Sequence, residues 1–271
     1  MNGAEEHKFS PEYRVLEVVL LKVKSHTLHE ITNVIGRNLD EEPHRTKPDQ
    51  HRRVPFLGAR EERKMPSYEL NITFDAAGLS ALSASGQSVT IVKQSAGGKP
   101  TAWITFTPQM ANSISWTEQY SVYSSTTNAQ SGAVIVTSSE ATAIAGSSYT
   151  LNTSGYFNPG ASGVVGPTQY QIVNNDPSLV ISGTAMVTAG LVQGASVNGT
   201  TVSAPICAAG VLYNQTALFT PIETIQVFTS SYSNNGIVIS QVSGNALTVQ
   251  YTTNTTASIT YNDQQNQFIM S

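Results

Sequence analysis

The chain has 271 residues, a formal net charge of −4, one cysteine and only 12% charged residues. Residues 66–271 contain two lysines, seven acidic residues, and no histidine or arginine. In that segment this composition excludes a Ser-His-Asp triad, a Cys/His zinc site and a disulfide framework, and it opposes binding to a nucleic-acid backbone. We therefore expect no metal, no cofactor and no nucleic-acid partner.

Residues 1–64 differ in composition from the rest of the chain, because they hold 12 of the 14 basic residues and all five histidines. Apolar residues recur at spacings of three and four over 11–36, which predicts an amphipathic helix, and 37–64 read as a disordered linker. The apolar run 18–21 is too short for a signal-peptide core, and no stretch reaches the length of a membrane span. These features predict that residues 1–64 are an appended tail, and the alternative is a partner-binding helix. They also predict a cytoplasmic or non-classically secreted protein.

From residue 65 onward the sequence favours β structure. Ser and Thr supply 56 of the 205 residues from 67 to 271, β-branched and aromatic residues supply most of the apolar ones, and helix formers are scarce. Apolar and polar residues alternate over 114–122, 247–252 and 257–261, as in strands with one buried face. Short apolar runs at 133–136 and 237–239 predict central strands, and turn residues such as Asn198-Gly199 lie between predicted strands. The fold class is therefore an all-β antiparallel sandwich.

A faint repeat predicts two related halves, 65–165 and 166–271. The pattern Glu-x-x-x-Val-aromatic-Ser/Thr-Ser occurs at 118–125 and again at 223–230, and a Phe-Thr-Pro triplet precedes each copy. The alternative is chance self-similarity in a chain so rich in Ser and Thr.

The two repeat-related glutamates, Glu118 and Glu223, are the sharpest candidates for chemistry. Strand alternation places each on an apolar face, where a carboxylate must be hydrogen-bonded, neutralised or part of a cleft. Two facing carboxylates are the minimum equipment of a glycosidase. The simpler interpretation places each glutamate at a bulge or strand end, with its carboxylate in solvent.

Aromatic and amide side chains suggest a sugar-binding surface. Alternation places Trp103 and Tyr123 on wetter strand faces, where rings can stack on sugars while amides bind hydroxyl groups. Buried packing is the alternative for each ring. The full set of predicted ligand-binding residues is Trp103, Trp116, Glu118, Gln119, Tyr123, Asn128, Glu223, Tyr232, Asn234 and Asn235.

Uncharged alternation over 121–139 and 246–261 predicts two long hairpins, each with an apolar and a hydroxyl-rich face. A hairpin of this kind suits insertion into a membrane as part of a closed ring of strands. A plain sandwich with a polar outer face shows the same period.

The overall composition is similar to that of fungal and bacterial lectins and of β-pore-forming defence proteins. It implies a non-enzymatic binding protein that recognises cell-surface glycans, with homo-oligomers possible. The first alternative is a pore-forming cytolysin that acts on a membrane surface, and the second is a hydrolase that uses the paired glutamates.

Overall fold

The computed structural model describes residues 65–271, so the predicted helix and linker of residues 1–64 lie outside it. The described residues belong to one compact unit. They contain one helix, α1 (Ala76–Ala84). Their strands are β1 (Ser67–Thr73), β2 (Ser88–Ala96), β3 (Lys99–Ala102), β4 (Ile104–Phe106), β5 (Ala111–Ser125), β6 (Ser139–Ala143), β7 (Ser147–Leu151), β8 (Ala161–Ser162), β9 (Tyr170–Asn174), β10 (Val180–Ile181), β11 (Thr184–Val197), β12 (Thr200–Pro205), β13 (Cys207–Leu212), β14 (Thr216–Ser230), β15 (Ile237–Val238), β16 (Leu247–Gln250), β17 (Thr256–Asn262) and β18 (Gln267–Met270).

Within the described residues the strands form two sheets. The large sheet has the order β15-β3-β13-β11-β5-β1-β17-β18, with β10 and β12 also paired to β11 and β6 paired to β5. The small sheet has the order β4-β2-β14-β9-β7-β8, with β16 also paired to β14. Most pairs are antiparallel, while β1 with β17 and β7 with β9 run parallel. The prediction of an all-β sandwich is confirmed.

The core lies between the sheets and follows the alternation of the strands. In β1, Leu70 and Ile72 are fully buried, whereas Glu69 and Asn71, which alternate with them, are half-buried. A single apolar cluster joins them to Ile91 of the small sheet. Burial of these side chains, at about 25 cal/mol per Å² of apolar surface, supplies the main driving force that holds the two sheets together.

One turn and one helix N-terminus illustrate what the local sequence specifies. Asn198 and Gly199 both have positive φ, 51° and 83°, and form the two-residue turn between β11 and β12, as the Asn-Gly pair predicts. Helix α1 was not expected. Its N-cap is Asp75, whose carboxylate accepts a hydrogen bond of 2.7 Å from the Gly78 backbone N–H.

The predicted hairpin over 246–261 is wrong. β16 pairs with β14 in the small sheet, whereas β17 pairs with β1 and β18 in the large sheet, so the chain crosses between sheets there. A hairpin does form between β5 and β6, but it pairs residues 120–124 with 139–143, so most of its second strand lies beyond the predicted segment 121–139. Its connection, residues 126–138, packs over the outer face of the large sheet.

The prediction of a central strand over 133–136 is also wrong. Only an isolated bridge joins Val134 to Ile237, and Val134 and Val136 are exposed while Ile135 is buried. The other apolar run forms the short strand β15, which is buried but ends the path of the large sheet.

The two copies of the repeat match only in part, because 133–136 forms no strand whereas the equivalent run after the second copy forms β15. Glu118 lies in β5 and Glu223 in β14, and the glycines that follow them, Gly132 and Gly236, both have positive φ, 81° and 76°. Each sheet contains strands from both 65–165 and 166–271. A relationship between the two halves stays a prediction.

Candidate functional site

Two β-bulges place the two glutamates. In the β5–β11 ladder, Trp116 pairs with Ala195 and Tyr120 with Gln193, so residues 117–119 face Gly194 alone. The β14–β2 ladder shows the same irregularity, because residues 222–224 lie between the pairs Pro221–Ser95 and Ile225–Lys93. Each bulge has a glutamate at its centre. A bulge re-aims side chains without ending the strand, and it explains why simple alternation describes the glutamates poorly.

Lys93 brings a cation into the core beside Glu223. Its side chain is 0% exposed, and Nζ lies 2.8 Å from Oε1 and 2.7 Å from Oε2 of Glu223, whose side chain is 18% exposed. Three aromatic rings surround the ammonium group at 5.4–5.9 Å from their centroids, those of Trp103, Trp116 and Tyr120. Cation–π attraction and the carboxylate together offset part of the lost hydration of the amine.

The carboxylates receive further hydrogen bonds from aromatic side chains. The Tyr120 hydroxyl donates to Glu223 Oε1 at 2.9 Å, and Trp116 Nε1 lies 3.5 Å from Oε2. The Tyr68 hydroxyl donates to Glu118 Oε1 at 2.6 Å. We call the following seven residues the inner cluster: Lys93, Glu118, Glu223, Tyr68, Tyr120, Trp103 and Trp116. It contains one cation and two carboxylates.

Burial shifts the titration of the inner cluster. Desolvation lowers the pKa of Lys93, and the charge of Glu223 opposes that effect. Desolvation also raises the pKa of Tyr120 well above its usual range, with the negative charge of Glu223 adding to the shift. The pKa of the Tyr68 phenol is raised for the same reason, with its bond to Glu118 contributing. Both phenols therefore remain hydrogen-bond donors at physiological pH.

Glu223 is the partly exposed side chain of the ion pair. Along one edge of β14, β9 pairs with residues 216–219 and β16 pairs with 224–227, which leaves a gap between these two partners. Glu223 borders this gap, and its backbone carbonyl accepts a hydrogen bond of 2.8 Å from the Tyr251 N–H, just beyond β16. Its side chain is 18% exposed, whereas that of Lys93 is 0% exposed.

The structure brings four of the predicted site residues together in the inner cluster: Trp103, Trp116, Glu118 and Glu223. The expected exposure of Trp103 is wrong, because this ring is 0% exposed and its Nε1 donates to the Gln193 carbonyl at 2.9 Å. Trp103 lies where the chain passes from β3 in the large sheet to β4 in the small sheet. Alternation within one strand does not apply at such a crossing.

The expected exposure of Tyr123 is wrong as well. Its ring is 0% exposed, and its hydroxyl donates to the Cys207 carbonyl at 2.8 Å. Tyr123 does lie on the outer face of the large sheet, but Ala129 and Ile135 of the 126–138 connection cover it in a second apolar cluster. A covering loop from a neighbouring part of the chain cannot be predicted from the period of the strand.

The remaining predicted residues are dispersed. Asn128 and Asn234 are exposed, and Tyr232 is half-buried. Asn235 has a structural contact, since its Oδ1 accepts a hydrogen bond of 2.7 Å from the Thr105 backbone N–H. Gln119, by contrast, is exposed and borders a depression on the large sheet.

This feature, which we call the outer depression, has a volume of about 380 Å³ and extends across β1, β5, β11 and β12. Gly194 contributes no side chain to it, and a Cβ built there would approach only the Val202 carbonyl oxygen, at 3.8 Å. The lining residues are uncharged: Ser67, Ser115, Trp116, Thr117, Gln119, Tyr120, Ser121, Val192, Gly194, Ala195, Ser196, Thr201 and Ser203.

Sequence reasoning missed Lys93, Tyr68 and Gly194. The signal for Lys93 was present, because it shares the strand parity of Val89 and Ile91, both fully buried in β2. An inward-facing lysine in a segment with two lysines is unusual, and it requires a partner among the few acidic residues. Tyr68 and Gly194 acquire their roles only through the pairing of β5 with β1 and β11.

Among residues 65–271, no three or more His, Cys, Asp or Glu side chains are grouped as metal ligands would be. No helix in the same residues is long and apolar enough to cross a membrane. Comparison of the chain with models of protein families, with curated proteins and with solved structures gave no match.

Proposed function

We propose that the protein is a non-enzymatic binding protein that recognises a neutral polyhydroxyl ligand, a glycan of a cell surface, in the outer depression. The observation that supports this most is the lining of the depression, which is rich in hydroxyl groups and carries no charged side chain. An uncharged, polar lining favours a ligand of the same kind over phosphates, nucleotides or acidic peptides.

The lining has the hydrogen-bonding capacity that a sugar requires. Each Ser or Thr hydroxyl can both donate and accept, and the Gln119 amide offers two donors and an acceptor. Seven hydroxyl-bearing Ser and Thr residues border the depression. A ligand with adjacent hydroxyl groups can therefore satisfy several of them at once, which an apolar ligand cannot.

The shape of the outer depression suits a small oligosaccharide. Its volume falls within the range of about 300–1,000 Å³ that is typical of small-molecule sites. The absence of a side chain at Gly194 leaves its centre open. Trp116 and Tyr120 border the depression but are each only 3% exposed, so neither ring offers an open face for stacking. Hydrogen bonds, rather than aromatic stacking, would supply most of the selectivity.

A glycan array tests the proposal directly. The full chain, fluorescently labelled, should bind a restricted set of immobilised neutral glycans, and the free sugar should compete. Gln119→Ala should weaken binding, whereas Gln250→Ala, which removes an exposed glutamine from a strand of the other sheet, should not. Binding to no glycan at micromolar protein, or equal binding by both variants, would contradict the proposal.

The pore-forming alternative draws less support from the structure than from the sequence. Of the two hairpins that it invoked, the one over 246–261 does not form, because β16 and β17 belong to different sheets. Release of dye from liposomes by the full chain, without glycan binding on the array, would favour that alternative over the lectin-like function.

A further inference from the structure

The side chains of Lys93 and Glu223 are arranged as reactants as well as an ion pair. Nζ lies 2.8 Å and 2.7 Å from the two carboxylate oxygens, so the amine is directed at the carboxyl group as a whole rather than at one corner of it. Holding two reacting groups at such a distance replaces a bimolecular encounter by an effectively unimolecular step, with effective molarities that reach about 10⁵ M or more.

The surroundings favour the neutral form of the Lys93 amine. Lys93 is 0% exposed and enclosed by three aromatic rings, and burial of an ion pair costs hydration that the mutual attraction only partly restores. Transfer of one proton from the ammonium to the carboxylate removes both charges and produces a nucleophilic amine beside a carboxylic acid. Desolvation lowers the pKa of Lys93, which assists that transfer.

Two donors are placed to stabilise charge on the carboxyl oxygens during attack. The Tyr120 hydroxyl donates to Oε1 at 2.9 Å, and Trp116 Nε1 lies 3.5 Å from Oε2. Preorganised donors of this kind stabilise the oxyanion of a tetrahedral intermediate. The Glu223 side chain is 18% exposed, so a small leaving group released from it can reach solvent.

We propose that Lys93 and Glu223 condense to form an intramolecular amide bond that covalently links β2 to β14. The Lys93 nitrogen forms a bond to Cδ of Glu223, the bond from Cδ to Oε2 breaks, and Oε1 remains as the amide oxygen. The departing oxygen takes two protons that the ammonium group originally carried and leaves as water. The reaction is neither oxidation nor reduction, and it requires no co-reactant.

The bond would close a loop of 130 residues, the sequence separation of Lys93 and Glu223. A crosslink across so long a loop restricts the unfolded chain and raises the temperature and denaturant concentration needed for unfolding. The two linked strands are already neighbours in the small sheet, so the crosslink preserves the fold that forms it. It would stabilise the scaffold beneath the bulge without altering the outer depression.

Intact-mass spectrometry of the denatured full chain tests the proposal. We expect a mass lower than the sequence mass by one water, and a proteolytic digest that contains a branched peptide joining Lys93 to Glu223. Lys93→Met and Glu223→Leu should each show the full mass of their own sequence, with no water lost. Lys99→Met, which removes the other lysine of residues 66–271, should still lose one water.

The wild-type mass decides the matter even where a variant folds poorly. The full sequence mass, both after purification and after prolonged incubation of the folded protein, would overturn the proposal. A loss of water that persists in Lys93→Met, or that maps to other residues in the digest, would also overturn it.

Discussion

At the scale of single residues, the inner cluster has two carboxylates, Glu118 and Glu223, but only one cation, the buried Lys93. Glu223 takes both short contacts of Lys93, while Glu118 has Tyr68 as its hydrogen-bond donor. The phenols of Tyr68 and Tyr120 are therefore as necessary to the cluster as the lysine. They let two carboxylates lie near a core that holds a single cation.

Removing the cation should destabilise the fold. In Lys93→Met the Glu223 carboxylate is left without its partner among aromatic rings, and the proposed crosslink is lost as well, so we expect the free energy of unfolding to fall by at least about 3 kcal/mol. Adding Glu223→Gln should restore part of the loss, because the neutral amide still accepts from Tyr120. Urea denaturation monitored by circular dichroism measures both changes.

Lys99→Met is the matched control for that experiment. Lys99 is exposed and donates to the Ala129 carbonyl, so its loss should cost about 1 kcal/mol or less. Equal effects of the two lysine substitutions would show that the inner cluster contributes no special stability.

At the scale of elements, two glycines of strand β11 have different structural roles. A Cβ on Gly190 would collide with the Cys207 carbonyl oxygen and approach Tyr123 Cε1 at 2.8 Å. Gly194, on the same strand, has open space because it faces the bulge of β5 and the outer depression. One glycine permits close packing of the backbone, and the other leaves a surface feature open.

Alanine substitutions separate these two roles. Gly190→Ala should reduce the free energy of unfolding by about 3 kcal/mol or more, because backbone atoms must shift to accept the methyl group. Gly194→Ala should change it by less than about 0.5 kcal/mol. Thermal denaturation of the two variants provides the comparison. A larger loss in Gly194→Ala than in Gly190→Ala would contradict the packing described for β11.

The predictability of the elements follows from how local their causes are. Alternation correctly predicted strands such as β17, with Ile259 and Tyr261 buried, and the Asn-Gly pair predicted its turn. Alternation failed at Trp103 and Tyr123, where a sheet crossing and a covering loop decide exposure. These are long-range consequences of topology, and no short window of sequence contains them.

The candidate site was predicted only in part for the same reason. The repeat singled out Glu118 and Glu223, and the structure places both in hydrogen bonds with aromatic side chains of the inner cluster. Strand parity places Lys93 on the buried face of β2 with Val89 and Ile91, but parity alone does not identify its partner. The outer depression depends on Gly194 facing a three-residue bulge, which only the β5–β11 register reveals.

At the scale of the whole molecule, buried groups that titrate as acids make stability depend on alkaline pH. Burial raises the pKa of the Cys207 thiol from 9.0 to about 11 and that of the Tyr170 phenol from 10.0 to about 12. The unfolded chain releases these protons at lower pH than the folded chain does. Stability is therefore fully present below about pH 9 and is lost as pH rises through the raised values.

We expect the free energy of unfolding to decrease steadily between about pH 9 and pH 12. Cys207→Ala should lower stability at neutral pH through the cavity it creates, but its decrease between pH 9 and pH 11 should be smaller by about 2 to 3 kcal/mol. Denaturant titrations at fixed pH intervals measure the slope. An identical slope in the variant would show that the thiol titrates alike in the folded and unfolded chains.

The outer depression is the central feature of the proposed function, as the binding site for a neutral glycan. The most direct measurement is a titration of intrinsic tryptophan fluorescence with the best glycan from the array, using the full chain, Gly194→Leu and Gly244→Leu. Both tryptophans of the chain lie in the inner cluster, and Trp116 also borders the depression. Gly244 is the control because a side chain there meets no atom within 4 Å and its φ is not positive.

Gly194→Leu fills the centre of the depression, so we predict that it weakens binding at least tenfold, equivalent to about 1.4 kcal/mol, with Gly244→Leu like the wild type. Unchanged affinity in a folded Gly194→Leu variant would contradict the assignment of the ligand to this depression.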